Sequence, residues 1–141
     1  MRIVDLDHIV IRCRDVEAMI HFYCDVLGCT IAKRADELGL VHLRAGAALI
    51  DLVDVHGELG RAGGAPPAAE GHNMDHFCLR IESLDIDALR HHFGRFGIDP
   101  GKVHDNFGSE GNGPSVYLSD PEKNTVELKG PPDSTSRRSS T

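Results

Sequence analysis

The chain has 141 residues, with 15 Lys and Arg against 22 Asp and Glu and a formal net charge of −7. This length predicts one compact region with a core of its own, independent of disulfides or structural metals. An acidic balance without a basic stripe excludes nucleic acid as an expected partner. No apolar run approaches the roughly 20 residues that span a bilayer, and the N-terminus lacks a signal-peptide pattern, so we expect no membrane partner and a cytoplasmic location.

The first half of the chain has the pattern of a βαβββ module. Residues 6–13 are apolar on both faces and predict a covered strand. Apolar residues then repeat at helical spacing from Val16 to Leu27, between a capping Asp15 and a terminating Gly28. Residues 29–33, 39–44 and 47–55 predict three more strands, the last two joined by a tight turn through Gly46.

The second half repeats this order after a Gly- and Pro-rich segment, residues 56–73, which predicts an irregular surface connection. A strand at 75–81 precedes a helix that starts at Asp85 and ends at Gly97. A short strand near 102–104, a Gly-rich loop at 108–114 and strands at 115–118 and 125–129 follow. Residues 131–141 are rich in Ser and Thr and predict a disordered tail. The fold class is therefore predicted to be α+β, with modules at about residues 3–55 and 75–130.

Polar residues take part in this repeat. Both halves open with D-H-φ-x-φ-R, where φ is apolar, at residues 7–12 and 75–80. Their final strands also match, because Asp51 and Glu127 each lie between two aliphatic residues. A unit that recurs once predicts two modules related by a pseudo-twofold axis.

These repeated polar residues form the candidate chemical site. An imidazole or carboxylate among aliphatic strand residues costs free energy unless it has a partner. A twofold axis would bring His8, His76, Asp51 and Glu127 together, and such a set of nitrogen and oxygen donors suits a divalent first-row metal. The composition of the set does not choose among Zn, Ni, Mn and Fe(II).

Cationic side chains lie on the same strand faces as these donors. Arg12 follows His8 by four residues, and Arg80 follows His76 by four, so each pair is about 13 Å apart along one face. Lys129 shares the face of Glu127. We interpret Arg12, Arg80 and Lys129 as candidates for gripping an anionic group of a small substrate, with structural ion pairs as the alternative for the arginines.

The repeat and its ending resemble a known family. Residues 119–128 read S-D-P-E-K-N-T-V-E-L, and this D-P-x-x-N-x-φ-E-φ ending, with a His opening each module, resembles the vicinal oxygen chelate superfamily. That superfamily includes glyoxalase I, extradiol dioxygenases, fosfomycin-resistance transferases and bleomycin-binding proteins. The resemblance covers about residues 3–130. It implies a cupped eight-stranded mixed sheet with the helices outside.

The resemblance also implies roles for the site residues. His8, His76 and Glu127 match metal-ligand positions, and Asp51 matches a variable fourth position, as a ligand or a base. Glyoxalase I carries glutamate or glutamine at the position of Asp51 and an asparagine at that of Val55. Arg12, by contrast, matches an arginine of glyoxalase I that binds a carboxylate of glutathione.

Three functions follow as expectations. The first is a metal-dependent lyase or isomerase of the glyoxalase type, with Glu127 or Asp51 as the base. The second is an extradiol-type dioxygenase with an Fe(II) triad. The third is a small-molecule-binding protein of the bleomycin-resistance kind, and a resistance-type thiol transferase also remains open. By resemblance we expect a homodimer, in which each site is closed within one chain or by exchange of modules between chains.

Overall fold

The computed structural model describes residues 1–132, so the predicted tail lies outside the described residues apart from its first two prolines. The chain separates into two compact units, Met1–Asn73 and a second unit that starts at Met74. Each unit contains one four-stranded sheet. Within residues 1–132, no helix is long and apolar enough to cross a membrane.

The first unit is a βαβββ module followed by a short helix. Its elements are β1 (His8–Cys13), α1 (Val16–Ile20) with a π-helical continuation (His21–Val26), β2 (Thr30–Ala35), a 3₁₀ turn (Asp36–Leu38), β3 (Leu40–Ala45), β4 (Ala48–Asp54) and α2 (Glu58–Ala62). The strand order is β1-β4-β3-β2. Strand β1 is parallel to β4, and the other pairs are antiparallel.

Local signals in the sequence explain the first helix. The side chain of Asp15 accepts a hydrogen bond from the backbone N–H of Ala18, which satisfies a donor at the helix start. Gly28, with φ of 83°, ends the helical segment in a left-handed conformation that glycine adopts without strain. The helical segment buries the side chains of Met19, Phe22 and Tyr23, and β1, β3 and β4 bury aliphatic side chains, which together form the core of this unit.

The second unit repeats the module. Its elements are β5 (Phe77–Arg80), α3 (Ile86–Gly94), β6 (His104–Gly108), β7 (Gly111–Ser119) and β8 (Thr125–Lys129). The strand order is β5-β8-β7-β6, again with one parallel pair, β5 with β8. Asp85 caps α3 by accepting a hydrogen bond from the N–H of Ala88.

The hydrogen-bond registers of the two sheets are equivalent. Asp51 of β4 pairs with Val10 of β1, and Glu127 of β8 pairs with Cys78 of β5. On the other side, Asp51 pairs with His42 of β3, and Glu127 pairs with Tyr117 of β7. The prediction of an α+β fold built from two βαβββ modules is therefore confirmed. The structure adds that the two carboxylates have equivalent positions in the registers of their sheets.

Two local predictions were wrong. The segment 56–73 contains helix α2, which is too short to show a periodic pattern in the sequence. The predicted Gly-rich loop at 108–114 instead belongs to a hairpin, in which Gly108 pairs with Gly111 and β7 runs on to Ser119. Glycine lowers strand propensity, but the pairing of β7 with β6 overrides that preference here.

Candidate functional site

Each sheet has one apolar face and one polar face. Side chains of paired residues point to the same side of a sheet, and successive residues alternate, so the register assigns every side chain to a face. The first polar face carries His8, Arg12, His42 and Asp51. The second polar face carries Cys78, Arg80, Ser115, Tyr117, Glu127 and Lys129, with His76 one residue before β5.

On the first polar face, Asp51 is a buried carboxylate with an imidazole partner. Its side chain is only 7% exposed. The Nδ1 atom of His42 lies 2.8 Å from Oδ1 of Asp51. The two residues are directly opposite each other on antiparallel strands, so the backbone register produces this contact.

His8 is more exposed than the sequence pattern suggested. Its Nδ1 atom contacts the carboxylate of the preceding residue, Asp7, at 2.7 Å. This hydrogen bond is the largest cause of a raised pKa of His8, and the negative charge of Asp51 acts in the same direction. Because Nδ1 is engaged, Nε2 is the nitrogen that His8 offers to a metal or a substrate.

On the second polar face, Glu127 is buried among hydrogen-bond donors. Ser115 donates its hydroxyl to Oε2 at 2.8 Å, and Nε2 of His76 lies 3.3 Å from Oε1. Burial raises the pKa of Glu127, but the hydrogen bonds from Ser115, Tyr117 and Cys78 and the proximity of His76 outweigh it, so the pKa is below its ordinary value. Glu127 is therefore held as an anion at neutral pH.

The D-P-x-x-N part of the ending is a turn that leads into β8. Asp120 accepts hydrogen bonds from the backbone N–H groups of Glu122 and Asn124, and from the side-chain amide of Asn124. Lys123 takes a left-handed conformation with φ of 69°. These bonds fix where β8 begins, and so they determine that Glu127 faces the polar side.

Tyr117 connects Glu127 to the outer strand. Its hydroxyl accepts a hydrogen bond from the side-chain amide of Asn106 at 2.9 Å. Its ring meets the rings of His76 and His104 edge to face, at centroid distances of 5.9 and 5.3 Å. Burial, followed by the charge of Glu127, raises the pKa of Tyr117, so the phenol is neutral.

The two predicted rim arginines have different surroundings. Arg12 donates to the backbone carbonyls of Gly60, Gly64 and Ala65 at 2.7–3.1 Å, and it thereby holds α2 and the following loop. Arg80 is exposed, and its Nε atom lies 3.5 Å from the carboxylate of Glu110. A role of either arginine in binding substrate stays a prediction.

Lys129 is a buried cation in a cradle made by glycines. Its Nζ atom donates to the carbonyl of Gly111 at 3.0 Å. A Cβ atom at Gly113 would lie 2.9 Å from Nζ, and one at Gly108 would lie 3.0 Å from Cε, so a side chain at either position would require Lys129 to shift. The glycines of the segment 108–114 thus make room for a side chain that the sequence pattern had assigned to the site.

On each polar face, the imidazole and the carboxylate that recur in both modules are candidate metal donors: His8 with Asp51, and His76 with Glu127. Within residues 1–132, no cluster of three or more such donors is assembled. The chemistry of the set nevertheless fits a divalent metal, because Nδ1 of both histidines contacts an adjacent aspartate, the usual arrangement for a ligand that binds through Nε2. The meeting of the two pairs around one metal stays a prediction.

Sequence reasoning missed four members of these faces: His42, Cys78, Ser115 and Tyr117. His42 lacks a histidine at the equivalent place in the other half, so the repeat gives no signal for it. The predicted tight turn through Gly46 contains the missing signal. If residues 45 and 48 pair across that turn, residue 42 must oppose residue 51, and their side chains must share a face.

Comparisons with known proteins agree with this architecture. The family model described as glyoxalase/bleomycin resistance protein/dioxygenase superfamily matches residues 5–128. A virulence protein from Salmonella typhimurium has a similar structure, with a TM-score of 0.72 and 25% identity over 93% of this chain and 99% of that chain. No curated protein sequence matches the chain.

Two further solved structures are similar in fold. An integron cassette protein from Vibrio cholerae has a TM-score of 0.70 and 23% identity, and the match covers 92% of this chain and 97% of that chain. A lactoylglutathione lyase from Agrobacterium tumefaciens has a TM-score of 0.64 and 22% identity, covering 89% of this chain and 92% of that chain. At these identities the likeness concerns the fold alone.

Proposed function

Because this chain belongs to the glyoxalase/bleomycin resistance protein/dioxygenase superfamily, we propose that it is a divalent-metal-dependent lyase or isomerase of the glyoxalase type. Its substrate would be a small molecule that chelates through neighbouring oxygens. The observation that carries the proposal is the second polar face, where Glu127 is buried, held as an anion, and 3.3 Å from Nε2 of His76. A buried anionic carboxylate and a neighbouring imidazole are two groups that can both bind a divalent metal.

His8, His76 and Glu127 would hold the metal. When bound, a divalent cation acts as a Lewis acid that polarises a carbonyl of the substrate. The aspartates that contact Nδ1 of the two histidines keep each Nε2 available. Ser115 holds one oxygen of Glu127, which leaves Oε1 as the oxygen nearest His76.

The first polar face would supply the base. A glyoxalase-type reaction moves a proton between adjacent carbons, so a group with a free lone pair must reach the substrate C–H. Glu127 accepts hydrogen bonds from several donors and is engaged on the second polar face. Asp51 is the other repeated carboxylate, and it lies on the same face as His8. We therefore propose that a group on the first polar face, which carries Asp51, transfers the proton.

An anionic group on the substrate would meet Lys129 or Arg80. The ammonium group of Lys129 lies on the face of Glu127, and the carboxylate found beside Arg80 within residues 1–132 is Glu110, an exposed group that water and substrate can displace. Arg12 is less suited, because its guanidinium already has three carbonyl acceptors.

We further propose a cytoplasmic homodimer. No disulfide joins the four cysteines, all of which lie among the described residues, as expected in a reducing compartment. Sedimentation equilibrium would test the assembly, and a mass near twice 15.4 kDa is expected.

Elemental analysis of protein purified without added metal tests the proposed function. Wild type is expected to carry about one divalent ion per chain, and His8→Ala, His76→Ala and Glu127→Gln are each expected to lose it. His21→Ala is the matched control, because His21 is also a histidine beside an aspartate but lies on the exposed helical segment. Full metal content in all three site variants would refute the metal centre. Oxygen consumption with a catechol would instead favour the dioxygenase.

A further inference from the structure

One histidine–aspartate pair differs from the others in burial. Five histidines contact an aspartate through Nδ1 in the part of the chain that the structure describes. In four of these pairs the aspartate side chain is 35–95% exposed. In the fifth, His42 with Asp51, the aspartate is 7% exposed. Only this pair, among the described residues, removes the carboxylate from water.

This burial determines the tautomer of His42. An ionised carboxylate accepts hydrogen bonds only, and a buried one needs a donor. Among residues 1–132, the imidazole of His42 is the hydrogen-bond donor found on Asp51. The proton of neutral His42 therefore lies on Nδ1, so Nε2 carries a lone pair. The His42 side chain is 24% exposed, which leaves it accessible from the polar face.

The position of the pair fits proton transfer. His42 and Asp51 are cross-strand partners on the face that also carries His8. His8 and Asp51 are diagonal neighbours on this face, because Asp51 pairs with Val10, two residues after His8. A base at His42 therefore lies on the same surface as the proposed metal ligand, and its carboxylate partner lies behind it.

We propose that His42 is the general base of the proposed reaction and that Asp51 is its positioning residue, outside the metal's ligand shell. This inference rests on the proposed function. Nε2 of His42 takes the proton from the carbon next to the substrate carbonyl. The C–H electron pair forms a C=C bond, and the carbonyl π pair moves to oxygen. The imidazolium then returns its proton to the former carbonyl carbon, while the hydroxyl borne by the first carbon gives its proton to the neighbouring oxyanion and becomes the new C=O, so no oxidant or reductant is needed.

Two substitutions separate this role from the alternatives. His42→Asn keeps a donor near the position of Nδ1, and so preserves the bond to Asp51, but it removes Nε2. Asp51→Asn keeps the shape of Asp51 and removes its charge. His21→Asn is the matched control, since His21 has the same type of contact with an exposed aspartate, Asp25.

The probes are hydroxyacetone and dihydroxyacetone phosphate in D₂O. Both have a C–H beside a carbonyl and neighbouring oxygens, and they differ in anionic charge. Proton NMR follows exchange of that C–H with the nickel-loaded protein, and calorimetry gives the Ni²⁺ affinity. Long-range ¹H–¹⁵N correlation on the zinc-loaded protein reports the tautomer of His42 independently of turnover.

Wild type is expected to catalyse exchange of at least one probe, with the His42 proton on Nδ1. His42→Asn is expected to slow exchange at least 100-fold, and Asp51→Asn at least 10-fold, while both bind Ni²⁺ within twofold of wild type. His21→Asn is expected to change neither quantity. In Asp51→Asn the His42 tautomer is expected to shift toward Nε2–H, a signature that a merely structural role does not require.

Three results would overturn the inference. Exchange that survives in His42→Asn but not in Asp51→Asn would make Asp51 itself the base. A tenfold or greater loss of Ni²⁺ affinity in Asp51→Asn would make Asp51 a ligand. These two results leave the proposed function intact. Metal-loaded wild type that exchanges neither probe would instead refute the proton-transfer chemistry, and with it the role of His42.

Discussion

In the first unit the buried carboxylate, Asp51, has an imidazole as its cross-strand partner, whereas in the second unit Glu127 has a phenol at that place. Glu127 also receives the hydroxyl of Ser115 and lies beside His76. The pairing of both neighbouring strands with each carboxylate strand has an equivalent register in the two units, so the difference at Asp51 and Glu127 comes from the neighbouring side chains.

This difference shows how a duplicated module acquires two kinds of chemistry. The register places both carboxylates on equivalent faces, and the residue across the antiparallel pair then sets what each one does. A carboxylate with several donors is stabilised as a fixed anion, which suits a metal ligand. A carboxylate with one imidazole polarises that imidazole, which suits a base.

The largest expected difference between the units concerns the equivalent arginines. Arg12→Ala is expected to lower the free energy of unfolding by about 3 kcal/mol, because three hydrogen bonds to backbone carbonyls are lost, one of them part-buried, and with them the attachment of α2 to β1. Arg80→Ala is expected to cost less than about 0.5 kcal/mol, since its ion pair with Glu110 is exposed. Urea unfolding measures the loss of stability in each variant. Equal losses in Arg12→Ala and Arg80→Ala would contradict the proposed difference between the two arginines.

The second prediction concerns the thiol beside Glu127. Burial, then the charge and hydrogen bond of Glu127, raise the pKa of Cys78 to about 11. At pH 8 its alkylation by iodoacetamide is expected to be on the order of 10²-fold slower than that of a free cysteine with a pKa near 8.5.

Mass spectrometry of tryptic peptides measures this rate for the Cys78 peptide. Glu127→Gln is expected to speed the alkylation, because the negative charge that opposes thiolate formation is removed. An unchanged rate in that variant would show that Glu127 does not act on Cys78. The equivalent place in the first unit is Val10, so no such reaction exists there.

The third prediction concerns the partner of Asp51. His42→Ala leaves a buried carboxylate without its donor and is expected to cost about 2 kcal/mol of folding free energy. His42→Asn keeps a donor and is expected to cost less than about 1 kcal/mol. Thermal and urea unfolding compare the two variants, and an equal cost would mean that the hydrogen bond contributes nothing.

The smallest expected effect is at Ser115. Ser115→Ala removes a buried hydroxyl from Glu127 and is expected to cost about 1 kcal/mol at pH 7 in metal-free protein. Because this bond lowers the pKa of Glu127, the stability it contributes is present above the unfolded pKa and is lost as the pH falls through the folded pKa. The difference in free energy of unfolding between wild type and Ser115→Ala is therefore expected to decrease as the pH falls. Urea unfolding at several pH values measures it, and a difference that is independent of pH would contradict this cause.

Much of the fold was predictable because its signals are local. Helical spacing between Asp15 and Gly28 predicted the first helix, and the last strand, Thr125–Lys129, was predicted to the residue. The D-P-x-x-N turn and the two-residue alternation of strands were enough to assign Glu127 to a polar face. The duplicated pattern was enough to predict two modules of one order.

The rest depended on contacts between residues that are far apart in the chain. Helix α2 lies where Arg12 donates hydrogen bonds to backbone carbonyls about 50 residues later in the chain. A helix of five residues is too short for its sequence pattern to reveal such a contact. The glycines at 108–114 lie in strands because β6 and β7 pair with each other there, and the side chain of Lys129 packs closely against Gly108 and Gly113. The sequence alone determined which residues are polar and which face they share. Only the tertiary structure decided that His42 pairs with Asp51 and that Ser115 and Tyr117 surround Glu127, because cross-strand neighbours are set by register and not by proximity in sequence.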